Sequence, residues 1–385
     1  MFSRRTDWKL TPNRFTEAVR EVSASGREIL DLTVSNPTRA GIEYDGAAIL
    51  DAFSNRGALD YDPQAKGLLA ARAAVARYHG ERGEHVSPER LVLTTSTSEG
   101  YSYIFRLLAN PGDEVLVPKP SYPLFDFLAE LQDVRLVGYP LLYDHGWQID
   151  GPSLESAVSE KTRAVVVVHP NNPTGSFVST AERERLSSLC RERGLALIVD
   201  EVFLDYAHDG SRRESFAGND QALTFTLSGI SKISALPQMK LAWIAVSGPE
   251  ADAAMQRLEV IADTYLSLNA PVQLASGTLL NQRKKIQPQL MQRVLANLTE
   301  LDRQLAAQKS SARLEVEGGW YAVLRVPATQ SDEDLAIALL RNTGTMVHPG
   351  HFYDFPRDGY LVISLITPEA DFREGISGVL RFLGP

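Results

Sequence analysis

Cysteine is almost absent from this 385-residue chain, with Cys190 alone. A single thiol excludes an internal disulfide and fits a reducing compartment, and inside an apparently helical run it reads as a buried structural residue rather than a nucleophile. Long apolar runs are also missing. The longest, such as Ala164–Val168, are strand-length and fall well short of the ~20 residues of a membrane helix. The N-terminus, Met1 to Trp8, has charges but no apolar stretch behind them, so no signal peptide is expected. There is no Lys/Arg block either. Net charge is -9 and the pI is near 5.4, which argues against nucleic acid as a partner. No metal-ligand set stands out. These absences predict a cytoplasmic protein with a small-molecule partner.

What is present is alternation. Arg90–Thr94, Glu114–Val117, Ala164–Val168, Leu195–Val199, Leu223–Leu227 and Ala242–Val246 read as strands. Glu99–Ala109 and Ser179–Arg193 read as helices between them, the second capped by Ser179 or Thr180 and by Gly194. Strands separated by helices build βαβ units. After Asn269-Ala270-Pro271 the texture changes. A long helix is expected over Val272–Gln308, then strands over Gly318–Val326 and Leu361–Leu365 with a helix from Asp334 to Arg341. The length exceeds what one core usually serves. The expected fold is therefore α/β: a large domain over 41–269 with a mostly parallel sheet flanked by helices, plus a smaller α+β domain from 1–40 and 270–385.

Ligands of such sheets bind beyond the carboxyl ends of the strands, and polar clusters fall there. Lys232, in Ser228-Gly229-Ile230-Ser231-Lys232, is a surface charge on the plain reading. Buried, it could form a Schiff base. Asp200 ends Leu197-Ile198-Val199, as a helix N-cap or as the partner of a protonated ring nitrogen. Asn172-Pro173-Thr174-Gly175 is turn chemistry, although its amide could also hold a phenolate. Ser96-Thr97-Ser98 serves equally as an N-cap or as a phosphate cradle at a helix N-terminus.

Taken in order, the pieces resemble the class I/II aminotransferases of the fold-type I pyridoxal-phosphate (PLP) enzymes along nearly the whole chain. They are Tyr61-Asp62-Pro63-Gln64-Ala65-Lys66-Gly67, Asn110-Pro111-Gly112-Asp113, Pro120-Ser121-Tyr122-Pro123, Asn171-Asn172-Pro173-Thr174-Gly175, Asp200-Glu201-Val202-Phe203, Ser231-Lys232, Gly318-Gly319-Trp320-Tyr321 and Val347-His348-Pro349-Gly350. The resemblance implies PLP on Lys232, which also carries the substrate Cα proton. It further implies Asp200 on the pyridinium nitrogen, Asn172 on the phenolic oxygen, Tyr122 on the ring, and Ser96, Thr97, Ser98 and Ser231 around the phosphate. Tyr61 would reach the neighbouring subunit's phosphate, making a homodimer with shared sites; as a single residue it also reads as a core aromatic. The implied substrates are an amino acid and a 2-oxo acid.

Four positions depart from the family pattern. Phe203 stands where Tyr is usual, which removes one donor to the phenolic oxygen. Lys240 stands where the phosphate-binding Arg is usual and lacks its bidentate grip. Gly229 replaces a Ser, leaving Ser228 or Ser231 as substitutes. Val362 occupies the place of the Arg that clamps the substrate carboxylate. Arg39 and Asn36, in Ser35-Asn36-Pro37-Thr38-Arg39, and His351 are the candidates to line the substrate side, with Arg325 and Arg357 as further basic residues. Val362 keeps a lyase, decarboxylase or racemase on the same scaffold as the alternative. A non-catalytic PLP-binding regulator is disfavoured, since such proteins usually carry a DNA-binding domain. A dinucleotide oxidoreductase is disfavoured because Ser96-Thr97-Ser98-Glu99-Gly100 is not a Gly-x-Gly-x-x-Gly turn.

Overall fold

The computed structural model describes residues 1–123 and 125–384. Its centre is an eight-stranded sheet of β1 (Leu91–Thr94), β2 (Glu114–Lys119), β3 (Arg135–Tyr143), β4 (Trp147–Ile149), β5 (Thr162–Val168), β6 (Ala196–Asp200), β7 (Thr224–Gly229) and β8 (Ala242–Ser247). The spatial order is β1-β8-β7-β6-β5-β2-β3-β4. Neighbours from β7 through β3 are parallel. The strand β8 runs antiparallel to both β1 and β7. Every residue of β6 is buried, and β5 is nearly so, because helices cover both faces; this is why the two read as continuous apolar runs.

The caps follow from local chemistry. The helix α1 (Thr97–Leu108) begins at Ser96, whose hydroxyl accepts the Glu99 N–H at 3.2 Å. Glu99 in turn accepts the Thr95 N–H at 2.7 Å. The helix α2 (Thr180–Arg193) has a full capping box of Ser179 and Glu182 and ends on Gly194 at φ 63°; such a cap contributes about 1 kcal/mol. Gly100 lets α1 lie close on the sheet, since a Cβ there would stand 2.6 Å from Leu227 Cδ2.

The smaller sheet comprises β9 (Ala312–Arg313), β10 (Tyr321–Arg325), β11 (His348–Pro349) and β12 (Tyr360–Ser364), all antiparallel in the order β9-β10-β12-β11. The N-terminal segment is bound to it. Leu30–Asp31 pairs with Thr345–Met346, the Ser364 N–H donates to the Leu32 carbonyl at 2.7 Å, and the Ser364 hydroxyl donates to that of Val34. The single helix expected over Val272–Gln308 is two, Ala270–Asn281 and Arg283–Leu305, hinged at Gln282. The first buries Val272, Ala275 and Leu279 with Val75 and Trp243 of the large sheet's core. The second buries Ile286, Leu290 and Val294 with the smaller sheet. The change of partner explains the break. Among the described residues no helix is long and apolar enough to cross a membrane.

Candidate active site

The carboxyl ends of β1, β5, β6 and β7 and the start of the reversed β8 open into one cavity of about 380 Å³. Thr95 to Ser98, Asn172, Asp200, Phe203, Ser231, Lys232 and Lys240 line it from the large sheet, with Tyr122 from the segment after β2. Tyr321, His348, Tyr353 and Ser35 close it from the other side.

Lys232 follows β7 on a single helical turn, Ile230–Ile233. The close contact of β7 with β8 sets its height: a Cβ on Gly229 would lie 2.8 Å from Ala242 Cβ and 2.9 Å from the Leu241 carbonyl. The Lys232 Nζ lies 5.1 Å from the centroid of Trp320 and 5.6 Å from that of Phe203. Burial lowers its pKa to about 8, and the Asp200 carboxylate only partly opposes this. Burial raises Asp200 to about 6. The Val202 N–H donates to Oδ1 at 3.1 Å and the Tyr101 hydroxyl donates to Oδ2 at 3.3 Å, and both favour the carboxylate. A carboxylate held this way in the cavity wall is built for a protonated partner. Asp200 is thus no helix cap, since only a turn follows it.

Asn172 carries a buried Oδ1 with no partner among the described residues. A buried acceptor left incomplete in a cavity wall is costly and fits a donor supplied by a ligand. Ser96 caps α1 through its hydroxyl, and the first-turn N–H groups of Thr97 and Ser98 fall where a helix has no internal acceptors. An anion such as a phosphate is favoured there. Lys240 reaches the same cavity from a left-handed backbone, φ 55°. Of the two serines considered for the Gly229 position, Ser231 lines the cavity. Ser228 instead donates to the Glu201 carbonyl at 3.3 Å. These residues fit PLP: a lysine for its aldehyde, a carboxylate for its ring nitrogen, amide N–H donors of Asn172 for its phenolic oxygen, and N–H groups and a cation for its phosphate.

Other expected residues lie outside this wall. Asn36 caps its own turn, accepting the Thr38 N–H at 3.0 Å, and Arg39 ends that turn exposed. Asn36 borders a shallow neighbouring recess with Pro237 and Gln238. His351 is exposed on the turn after β11 and is not among the lining residues. Tyr61 is 85% exposed and borders a separate recess with Leu266 and Asn269, which is not the setting of a core aromatic. The residues missed in the sequence are Tyr101, Trp320, Tyr321, His348, Tyr353 and Ser35. Trp320, Tyr321 and His348 sat inside noted motifs, but nothing local told which way they face.

The family model for aminotransferase class I and II matches residues 27–377. The glutamate-pyruvate aminotransferase AlaA of Haemophilus influenzae is 26% identical over 95% of this chain and 93% of its own length. An alanine aminotransferase of Mycobacterium bovis is 27% identical over 94% and 87%. In structure, an alanine aminotransferase from Pyrococcus furiosus superposes with a TM-score of 0.89 at 20% identity, covering 100% of this chain and 99% of that one; at that identity the likeness concerns the fold. The chain belongs to the class I and II aminotransferase family and is a PLP-dependent aminotransferase.

Proposed function

We propose that this enzyme moves an amino group between an α-amino acid and a 2-oxo acid, with Lys232 as both cofactor anchor and proton carrier. The observation that carries the reading is the shared cavity of a lysine brought down to about 8, a buried carboxylate and the Asn172 amide, whose N–H groups can donate. PLP, when bound, supplies an aldehyde on which amines exchange and a ring that withdraws electrons from the substrate Cα.

The chain's own residues do the rest. At neutral pH roughly a tenth of a lysine with pKa about 8 is uncharged, far more than of an ordinary one. That makes Lys232 Nζ both a nucleophile and a base for the Cα proton. Asp200 stabilises a proton on the ring nitrogen. Asn172 holds the phenolic oxygen, and Tyr122 covers one ring face. Ser96, Thr97, Ser98, Ser231 and Lys240 hold the phosphate. Phe203 and Trp320 form an apolar wall that keeps water from Nζ.

The reading extends to a homodimer. Leu59, Tyr61 and Val260 are 87%, 85% and 69% exposed, large apolar side chains of the kind that a second copy would cover. Tyr61 would then serve the partner's phosphate. Cys190 is buried with its thiol pushed up to about 12, so it stays reduced and inert, in keeping with a cytoplasmic setting.

The test is a single-turnover mix of PLP-loaded enzyme with a panel of amino acids and no oxo acid. Alanine and glutamate head the panel, following the names of the relatives. Conversion of the cofactor to pyridoxamine phosphate with release of the matching 2-oxo acid supports transamination and names the donor. Release of ammonia, carbon dioxide or the opposite enantiomer, with the cofactor still an aldehyde, overturns it.

A further inference from the structure

Among its described lining residues the cavity has two lysines, Lys232 and Lys240. The cofactor occupies both, one at its aldehyde and one at its phosphate. An α-amino acid brings another anion, its carboxylate, and desolvating that group without donors is costly. The basic residues suggested by sequence do not supply them. Arg39 is exposed, Arg325 lies over the Tyr143 ring at 5.6 Å, and Arg357 donates to the Tyr360 hydroxyl at 3.3 Å. One further lining residue can become a cation, His348.

The small sheet fixes where His348 stands. Its register partner across the β11–β12 ladder is Val362, and directly opposed residues of an antiparallel pair share one face. The imidazole therefore emerges beside the position where the usual arginine would begin. Its Nδ1 lies 3.0 Å from the Tyr353 hydroxyl. Burial holds that phenol well above its ordinary pKa, so it stays protonated and can donate to Nδ1. That leaves the ring proton on Nε2, which has no protein hydrogen bond among the described residues.

We propose that His348, oriented by Tyr353, receives the substrate α-carboxylate in this enzyme and takes up a proton as it does so. This rests on the aminotransferase reading above. In the free cavity burial lowers the imidazole pKa, opposed by the Asp31 carboxylate from the N-terminal segment. The β12 neighbour, Val362, is apolar and fully buried. Asp332, on the helix packed behind β11, is engaged by the Gly359 and Tyr360 N–H groups. On the cavity side stand Tyr122 and Tyr321, both raised by burial, and Lys232. An arriving carboxylate raises the imidazole pKa. Carboxylate affinity therefore falls as pH rises through neutrality, whereas an arginine would hold it constant.

The test compares two probes on the PLP-loaded enzyme. One is 2-methylalanine, which has the amine and carboxylate but no Cα proton; the other is its amide. Dissociation constants are read from cofactor absorbance between pH 6 and 8.5 and corrected for each probe's own amine ionisation. The expected preference for the acid over the amide shrinks about tenfold across that range. In His348→Gln it is small and flat. Tyr353→Phe keeps the pH dependence but moves its midpoint. A wild-type preference that does not change with pH overturns the proposal, even where a variant fails to fold. So does a preference that survives in a folded His348→Gln. Both results leave amine exchange, and with it the aminotransferase reading, intact. If neither probe changes the absorbance at any pH, both readings fall.

Discussion

The hydroxyl of Tyr206 donates to the main-chain carbonyl of Lys232 at 2.6 Å. Tyr206 is fully buried against Trp320 and Phe203, so it ties the lysine's backbone to the aromatic wall that its Nζ faces. The carbonyl also accepts the Ala235 N–H at 3.1 Å, so losing the phenol does not orphan it. Tyr206→Phe is expected to cost about 1 kcal/mol in urea unfolding. The single-turnover rate should fall by about tenfold or less, with the donor KM unchanged. A loss above about a thousandfold would instead mean that the phenol touches reacting atoms.

Asp200 is held for function at the expense of stability. Its pKa in the fold, about 6, lies above the ordinary 3.8. The fold thus favours the protonated acid. The contribution is fully favourable below the unfolded value and is lost as pH rises from about 4 to 6. At neutral pH the cofactor-free protein carries the full penalty, about 3 kcal/mol from the shift. Asp200→Asn is expected to raise the melting temperature of the cofactor-free enzyme at pH 7 but not at pH 3.5. It should also reduce turnover by several orders of magnitude. Calorimetry at the two pH values, beside a rate assay, checks both parts.

Phe203 lines the cavity where a tyrosine would present a hydroxyl. The nearest later phenol, Tyr206, is already committed to the Lys232 carbonyl and cannot substitute. Phe203→Tyr should add a donor that favours the ionised phenolic oxygen of PLP. The absorbance midpoint of the loaded enzyme is expected to move to lower pH by on the order of one unit. A spectral titration that superposes on the wild type would remove the phenolic oxygen from this side of the cavity.

Tyr61 tests the homodimer. Sedimentation should give about twice the 42.4 kDa chain mass. Tyr61→Phe should leave that assembly intact but weaken PLP about tenfold, the scale of one hydrogen bond to a charged group. A monomer that binds PLP as tightly as the wild type would reduce Tyr61 to a surface aromatic.

The half of the site that follows strands was legible in the sequence, because chain order and the strand-end rule together point at Ser96 to Ser98, Asn172, Asp200 and Lys232. The other half was not. Ser35 reaches the cavity because Ser364 ties down Leu32 and Val34, hydrogen bonds spanning over 300 residues. His348 and Tyr353 depend on the pairing of β11 with β12, which the sequence does not spell out, so a reading of the sequence alone names His351 on the neighbouring turn and passes over His348. Tyr101 has the spacing of any core aromatic, and only the packing of α1 over β7 and β8 turns its hydroxyl toward Asp200. The break at Gln282 was hidden for a related reason. No glycine or proline marks it, and the helix stops there because its two halves serve different cores.

The reversal of β8 matters beyond topology. Because it runs against its neighbours, its first residues rather than its last arrive at the cavity, and the short return from Lys232 to Lys240 acts as a ruler between two charges. Aldehyde and phosphate arm spring from neighbouring carbons of the cofactor ring, so this one loop would set the spacing of the two side chains that hold that edge. Adding or deleting a residue between Ala235 and Met239 would change that spacing while leaving the sheet whole, and the phosphate would then be gripped out of step with the lysine that holds the aldehyde.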